Sequence, residues 1–188
     1  MEGKVIIFSA PSGSGKSTIV SHLLKLNLGL EFSTSATCRL PRGEEKDGID
    51  YFFFSLDQFN KKIDNDEFVE WEEVYPGCCY GTLKVELEKI WSRGHIVVFD
   101  VDVIGGQNLK KIFKDRALAL FVKAPSIDVL KQRLISRNTD SEEKIAERIA
   151  KAEYEMTFAP KFDKIIINDK LEQAYIDTES VVRDFIKL

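Results

Sequence analysis

Residues 5–18 read VIIFSAPSGSGKST and join a short apolar run to a glycine-rich loop that ends in a lysine. The run at 5–8 is apolar without interruption, which is typical of a strand buried on both faces of a parallel sheet. Gly13 and Gly15 permit positive backbone φ, so successive N–H groups of the loop can point inward at an anion. Lys16 can then reach the β and γ phosphates of a nucleoside triphosphate. The stretch therefore predicts a strand followed by a phosphate-binding loop.

The residues after Lys16 support the same interpretation. Ser17 offers a hydroxyl to Mg²⁺, and 17–24 read as a helix whose positive N-terminal end faces the anion. The sequence departs from the full pattern G-x-x-x-x-G-K-[ST] at one position, where Ala10 stands in place of the first glycine. Alanine adds only one methyl group, and Pro11 fixes the turn beside it. The alternative is a Gly/Ser linker with a chance lysine. The loop residues predicted to bind the triphosphate are Ser12, Gly13, Ser14, Gly15, Lys16, Ser17 and Thr18.

Composition limits the class of protein. The chain has 188 residues, of which 44% are hydrophobic, and this suits one compact domain with small inserted subdomains. No apolar stretch approaches the roughly 18 residues needed to cross a bilayer, and no secretory signal pattern is present. Three cysteines without framework spacing argue against a disulfide scaffold. We expect a cytoplasmic protein with no membrane partner, and the formal net charge of −4 predicts no nucleic-acid partner. The sequence does not determine the oligomeric state.

The remaining chain alternates strand-like and helical patterns. Apolar, strand-like runs at 96–101, 117–122 and 165–167 predict an α/β fold with a parallel core sheet, and the run at 165–167 is expected to be buried. Residues 31–82 contain short strand-like runs with turns between them, which predicts an inserted small mixed or antiparallel sheet. Residues 126–156 are helical and charged, with Ser126 and Ser141 as candidate N-caps.

The inserted segment carries a candidate anion site. Arg39 and Arg42 lie three residues apart around Pro41, and two guanidinium groups at that spacing can grip a phosphate. Tyr51 and Tyr80 could add hydroxyl donors. The alternative is an exposed, solvated face.

Together these stretches resemble the guanylate kinase family, which transfers a phosphoryl group from ATP to GMP. The resemblance covers nearly the whole chain. It depends on SAPSGSGKST, FSTSATCRLPRGEEKDGIDYFFFS, EFVEWEEVYPGCCYGT, VFDVD, RLISRNTDSEEKIAERIAKAEYE and IIIND. The residues it assigns to GMP are Ser35, Arg39, Arg42, Glu45, Tyr51, Glu70, Tyr80, Thr82, Asp100 and Asp102. Of these, the two arginines and two tyrosines would hold the phosphate, whereas Ser35, Glu70 and Thr82 would face guanine.

The chemistry of guanine agrees with this assignment. Its N1–H and N2–H₂ are adjacent donors that one carboxylate, such as that of Glu70, can accept together. The O6 atom can accept from Ser35 or Thr82. The alternative for Glu70 is a strand that simply alternates core and surface residues. Asp100 and Asp102 follow a strand at the sheet edge where α/β folds bind ligands, although a plain turn would also explain them.

The segment 126–156 resembles the lid that closes over ATP in this family. Arg133 and Arg137 are four residues apart on one helix face, and Arg148 would join them from the next helix. The alternative is an exposed helix with ion pairs. Asn168 matches an adenine-side position, or else it is a turn former. The predicted catalytic residues are Lys16, Arg39, Arg137 and Arg148, and the further ATP ligands are Arg133, Arg137 and Asn168.

The resemblance also divides the chain. It implies a core (1–32, 84–125 and 157–188), a GMP-binding subdomain (33–83) and a helical lid (126–156), with Mg²⁺ as the cofactor of ATP. Two alternatives remain: a non-catalytic interaction domain of the same fold, and a kinase for another phosphorylated acceptor. A GTP-hydrolysing switch is disfavoured because its N-K-x-D motif is absent.

The chain departs from the family pattern at four positions: Cys38, Cys78, Cys79 and Ile104. None of them removes a group assigned to chemistry. The departures leave the fine shape of the GMP pocket open. Because Cys79 is next to Tyr80, we expect the site to be sensitive to thiol oxidation.

Overall fold

A computed structural model describes residues 3–136 and 141–187. The strands are β1 (Val5–Ser9), β2 (Leu30–Phe32), β3 (Ala36–Thr37), β4 (Phe52–Phe53), β5 (Phe68–Tyr75), β6 (Cys78–Leu83), β7 (Ile96–Asp100), β8 (Ala117–Lys123) and β9 (Lys164–Ile167). The helices are α1 (Lys16–Lys25), α2 (Leu56–Asp64), α3 (Lys84–Ser92), α4 (Val103–Phe113), α5 (Ile127–Ser136), α6 (Glu142–Met156) and α7 (Leu171–Lys187). Short 3₁₀ turns occupy Lys114–Arg116 and Ala159–Lys161.

The chain forms two compact units. The small-sheet unit is built on Glu31–Val97, and the phosphate-loop unit on Lys4–Leu30 with Val98–Leu188. The core, GMP-binding and lid boundaries drawn from the sequence stay predictions.

The main sheet has the strand order β2-β7-β1-β8-β9. Strand β1 pairs in parallel with β8, and β8 pairs in parallel with β9. All five residues of β1 are fully buried, because its continuous apolar side chains pack on both faces of the sheet. The predicted α/β fold with a parallel core sheet is confirmed.

One part of the burial prediction is wrong. In β9 only Ile166 is buried, at 3% exposed, whereas Ile165 and Ile167 are 41% and 51% exposed. Ile165 and Ile167 share one face of β9, opposite to Ile166, and that face is open to solvent on this strand at the end of the described strand order.

The small-sheet unit contains the order β4-β3-β6-β5. Strands β3 and β4 are parallel, whereas β6 pairs antiparallel with both β3 and β5, which confirms the predicted mixed sheet. Helix α2 begins with a capping box between Ser55 and Gln58. Its Phe59 is fully buried and stacks on Phe68 with ring centroids 4.5 Å apart. This helix therefore supplies the main aromatic contact of a small core.

The helical segment of the phosphate-loop unit contains α5 and α6. The Ser126 hydroxyl accepts a hydrogen bond from the Val129 amide at 3.2 Å. The Ser141 hydroxyl accepts one from the Lys144 amide at 3.4 Å, so both predicted caps are confirmed. A separate apolar cluster of Ala124, Leu130, Leu134 and Ala152 packs these helices together. Within residues 3–136 and 141–187, none of the helices has the length and hydropathy of a membrane span.

Phe59→Ala should lower the free energy of unfolding by about 3–5 kcal/mol, because it leaves a cavity where a buried ring stacked. The matched control is Leu56→Ala on the same helix, where the side chain is already 43% exposed. We expect the control to cost less than about 1 kcal/mol in urea unfolding followed by circular dichroism. Equal costs for the two variants would contradict the assigned core.

Candidate active site

The loop between β1 and α1 has the backbone geometry of a phosphate cradle. Gly13 and Gly15 have φ values of 89° and 87°, as their sequence positions predict. The Ser14 amide donates to the Pro11 carbonyl at 3.2 Å, which closes the turn. Gly15 is the N-cap of α1 and provides no side-chain cap. The first amides of α1 are therefore left for an anion, which the positive end of the helix also favours.

This loop forms one wall of a cleft of about 360 Å³, hereafter the phosphate-loop cleft. Its lining comprises 10–13, 15–18, 100–102, Arg148, Lys151 and Glu155. Ser12, Ser17 and Thr18 are exposed on the loop. The Ser14 hydroxyl is fully buried and lacks a hydrogen-bond partner in the described part of the chain. Open amides beside an orphaned hydroxyl suit a ligand rich in oxygen atoms.

Lys16 is held inside the cleft by the last residue of β7 and by the segment that follows it. Its ammonium forms an ion pair with the Asp100 carboxylate and donates to the Val101 carbonyl at 3.1 Å. Asp102 has a structural role in the same segment, since its carboxylate accepts from the Gly105 amide at 2.7 Å and caps α4. The lysine thus has a carboxylate where a phosphate oxygen could bind.

Asn168 is hydrogen-bonded to the phosphate loop and lies outside the cleft lining. Its side-chain amide is buried and donates to the Ser14 carbonyl at 2.8 Å. A Cβ atom at Gly15 would lie only 2.2 Å from that amide nitrogen, so glycine is required there for space as well as for φ. Arg133 donates to the Asn168 carbonyl at 2.9 Å. Both residues therefore support the loop from outside the cleft lining.

Helix α6 contributes one face to the cleft. Arg148 donates to the Ser12 hydroxyl at 3.2 Å, and Lys151 and Glu155 follow it in the lining. Burial raises the pKa of Glu155, an effect opposed by Lys151 and Lys16 and reinforced by Asp102. Sequence reasoning missed Lys151 and Glu155. Their i+3 and i+7 spacing from Arg148 on a helix could have found them. Arg137 lies outside the described residues.

A second cluster lies in the small-sheet unit around Arg39. The two terminal nitrogens of Arg39 donate to the Glu45 carboxylate at 2.6 and 2.8 Å, and Nε donates to the Tyr80 hydroxyl at 3.0 Å. The Arg42 amide also donates to Glu45, at 2.8 Å, while the Arg42 side chain is exposed. These contacts hold the pKa of Glu45 at about 2 and raise the pKa of Arg39. Glu45 therefore orients the guanidinium group through a bidentate contact.

Two aromatic rings pack against the guanidinium group of Arg39. Its guanidinium carbon lies 4.9 Å from the ring centre of Tyr51 and 5.6 Å from that of Phe53. The rings of Tyr51 and Tyr80 meet edge to face at 5.9 Å. Burial, and then the nearby Tyr80, raise the pKa of Tyr51, so its hydroxyl remains protonated as a donor near neutral pH.

Glu70 and Thr82 lie opposite each other on β5 and β6. The buried Thr82 hydroxyl donates to the half-buried Glu70 carboxylate at 2.8 Å. Gly81 permits this close pairing, since a Cβ atom there would lie 2.9 Å from the Glu70 carbonyl. Ser35 is half-buried immediately before β3, and its carbonyl accepts from the Phe52 amide at 2.9 Å. The predicted base-facing residues therefore lie in one sheet or directly beside it.

The expected thiol sensitivity at Cys79 finds no support in this geometry. Cys79 is 5% exposed, and burial raises the pKa of its thiol to about 11, with Cys38 adding to the shift. Its amide donates to the Cys38 sulfur at 2.9 Å. A buried thiol with a high pKa contains little reactive thiolate near neutral pH.

Comparisons with known proteins agree with this geometry. The guanylate kinase family model matches residues 2–185. A guanylate kinase from Bacteroides fragilis is 59% identical over 185 residues, which cover 98% of this chain and 91% of the relative. One from Porphyromonas gingivalis is 49% identical, with coverage of 97% and 98%. The crystal structure of guanylate kinase from Anaplasma phagocytophilum is similar with a TM-score of 0.75 and 25% identity, covering 97% of this chain and 85% of that one.

Glu45→Gln should remove a contribution to the free energy of unfolding that depends on pH in the acid range. Because the folded pKa of about 2 lies below the usual 4.5, the contribution of Glu45 is complete above pH 4.5 and is lost as the pH falls toward 2. The difference in urea midpoint between wild type and E45Q should therefore be constant near neutral pH and narrow below about pH 4.5. Glu44→Gln, at the exposed neighbour, is the control. A wild-type-to-E45Q difference independent of pH would contradict the assignment.

Proposed function

Because this chain belongs to the guanylate kinase family, we propose that its two anion-binding clusters hold the two nucleotides of that reaction. The chain is an enzyme with guanylate kinase function, the transfer of a phosphoryl group from ATP to GMP. ATP binds in the phosphate-loop cleft, and GMP binds at the Arg39 cluster with the Glu70 and Thr82 pair.

On the ATP side, the loop amides and α1 cradle the phosphates. Lys16 binds the β and γ phosphates after leaving Asp100, and Arg148 donates from α6. Arg133 and Asn168 act by supporting the loop, while Arg137 stays a catalytic assignment from the family resemblance. The proposed ATP ligands are Ser12, Gly13, Ser14, Gly15, Lys16, Ser17, Thr18, Arg148 and Arg137, with Arg133 and Asn168 behind them.

Mg²⁺ is the proposed cofactor, since nucleotide kinases generally use it. The residues present suit the ion, because Ser17, Asp100 and Asp102 place hydroxyl and carboxylate oxygens in one cleft. Ser17 would hold it, together with the phosphates and water. When bound, it would neutralise charge on the phosphoryl oxygens.

On the GMP side, Arg39 binds the phosphate with Arg42, Tyr51 and Tyr80, and Glu45 positions Arg39 until the phosphate replaces it. Asp100 and Asp102 stay proposed GMP ligands from the family resemblance, and within their own unit they line the phosphate-loop cleft. The proposed GMP-binding subdomain is 33–83, and the proposed lid is 126–156.

The choice of guanine depends on Glu70 and Thr82. Thr82 donates to one carboxylate oxygen of Glu70, which fixes that carboxylate as an acceptor for the N1–H and N2–H₂ of guanine. Adenine would present the N1 lone pair instead, and a buried mismatch of this kind is costly. The Glu70–Thr82 pair is the single observation that favours GMP over another phosphorylated acceptor.

The reaction requires the protein to align the two nucleotides and to neutralise charge on the transferred group. Phosphoryl transfer spreads negative charge over the moving group, and Lys16 with the loop amides can stabilise it at fixed positions. No covalent intermediate on a side chain is required. The three cysteines are free thiols, which supports a reducing compartment such as the cytoplasm.

An intact phosphate loop with an oriented Lys16 disfavours the non-catalytic interaction domain. The direct test is ADP production from MgATP with GMP, AMP, CMP, UMP or no acceptor. We expect rapid turnover with GMP alone. Turnover with another acceptor, or none with GMP, would refute the proposal.

Glu70→Ala should reduce the preference for GMP over AMP, measured as the ratio of kcat/KM values, by roughly a hundredfold. The loss should come mainly from GMP, because its two donors lose their acceptor. Glu88→Ala removes an exposed carboxylate of the same unit and should leave the ratio unchanged. Unaltered discrimination in E70A would exclude Glu70 as the guanine acceptor.

A further inference from the structure

We propose that Lys151 on α6 is a further ATP-binding residue, which contacts the phosphates alongside Lys16 and Arg148. The inference deepens the proposed function and rests on its placement of ATP in the phosphate-loop cleft. Lys151 belongs to no part of the phosphate-loop motif.

The first support is its position on the helix. Lys151 follows Arg148 by three residues, so both side chains leave the same face of α6. Arg148 contacts the Ser12 hydroxyl at 3.2 Å, which places this face against the phosphate loop. Lys151 lies about 4.5 Å farther along the helix axis, at a rise of about 1.5 Å per residue, and also lines the cleft.

The second support is the partner that directs the lysine. The side chain of Glu155 is only 8% exposed and lines the same cleft. Its carboxylate lies 3.8 Å from the Lys151 ammonium, while the Lys151 side chain is 58% exposed. A buried carboxylate therefore draws the exposed ammonium toward the cleft.

The third support is the weakness of this pair. A distance of 3.8 Å exceeds the hydrogen-bond range, so the contact is purely electrostatic. A lysine placed four residues before a glutamate is also the less favourable order on a helix. Phosphate oxygens can form charge-assisted hydrogen bonds with the same ammonium. Lys151 can thus turn from Glu155 to a phosphate without breaking a hydrogen bond.

The cleft has the charge pattern that such an exchange requires. Lys16, Arg148 and Lys151 supply three cations, and Asp100, Asp102 and Glu155 supply three carboxylates. Lys16 is paired with Asp100, as Lys151 is with Glu155. A triphosphate adds negative charge to this balanced set. The exposed Lys151 ammonium at the edge of the cleft can neutralise part of that charge.

The experiment compares K151A, K151R and K144A with wild type by calorimetric titration of MgATP without acceptor, and by steady-state kinetics with GMP. Lys144 is an exposed lysine on the same helix outside the cleft lining. K151A should raise Kd and KM for MgATP about fivefold and leave KM for GMP and kcat within about twofold. K151R keeps the charge and should bind MgATP within about twofold of wild type, as should K144A.

Three outcomes would overturn the inference. They are an unchanged MgATP affinity in K151A, an equal loss in K151R, and an equal rise in KM for GMP. Unchanged thermal melting of K151A would show that the effect does not come from unfolding. Wild-type protein that binds MgATP but lacks GMP-dependent ADP production would refute the proposed function alone, because the titration tests Lys151 without an acceptor.

Discussion

Burial of β1 on both faces is the constraint on which the phosphate-loop unit depends. Its side chains have no exposed surface, and its pairing with β8 runs in register from Val5 with Ala117 to Ser9 with Phe121. The loop must therefore leave the sheet at its carboxyl edge, where α/β folds bind ligands. Asp100 ends β7 and Asn168 follows β9 in the same sheet, and both meet the loop there. The geometry of the cleft is thus a consequence of core packing.

The sequence predicted those parts of the site that depend on neighbouring residues. The positive φ of Gly13 and Gly15 and the cap at Ser141 follow from local chemistry, and all three were predicted. Contacts between segments that are distant in the sequence could not be predicted from local patterns. The bond from Asn168 to the Ser14 carbonyl spans 154 positions. The exposure of Ile165 depends on the strand order, which apolar content alone does not reveal.

The charges of both units share one feature: three of the cations assigned to phosphate are already paired with carboxylates. Lys16 has Asp100, Arg39 has Glu45, and Lys151 has Glu155. Removing one partner of a partly buried pair leaves an uncompensated charge, so the carboxylates satisfy these cations when no nucleotide is bound. Binding then exchanges one partner for another. The net gain is consequently smaller than the strength of the new contacts suggests, and the remaining affinity must come from the nucleoside parts.

The contact between Glu45 and Arg39 has a further consequence for dissolved anions. Glu45 is only six residues from Arg39 and binds it through both carboxylate oxygens, so it behaves as a tethered ligand with an effective concentration of millimolar or more. Inorganic phosphate must compete with this internal ligand using the phosphate contacts alone. GMP, the proposed ligand of this cluster, brings a base as well, and the energy of base binding can displace the carboxylate. The tether would thus make the proposed site selective for a whole nucleotide over a free phosphate ion.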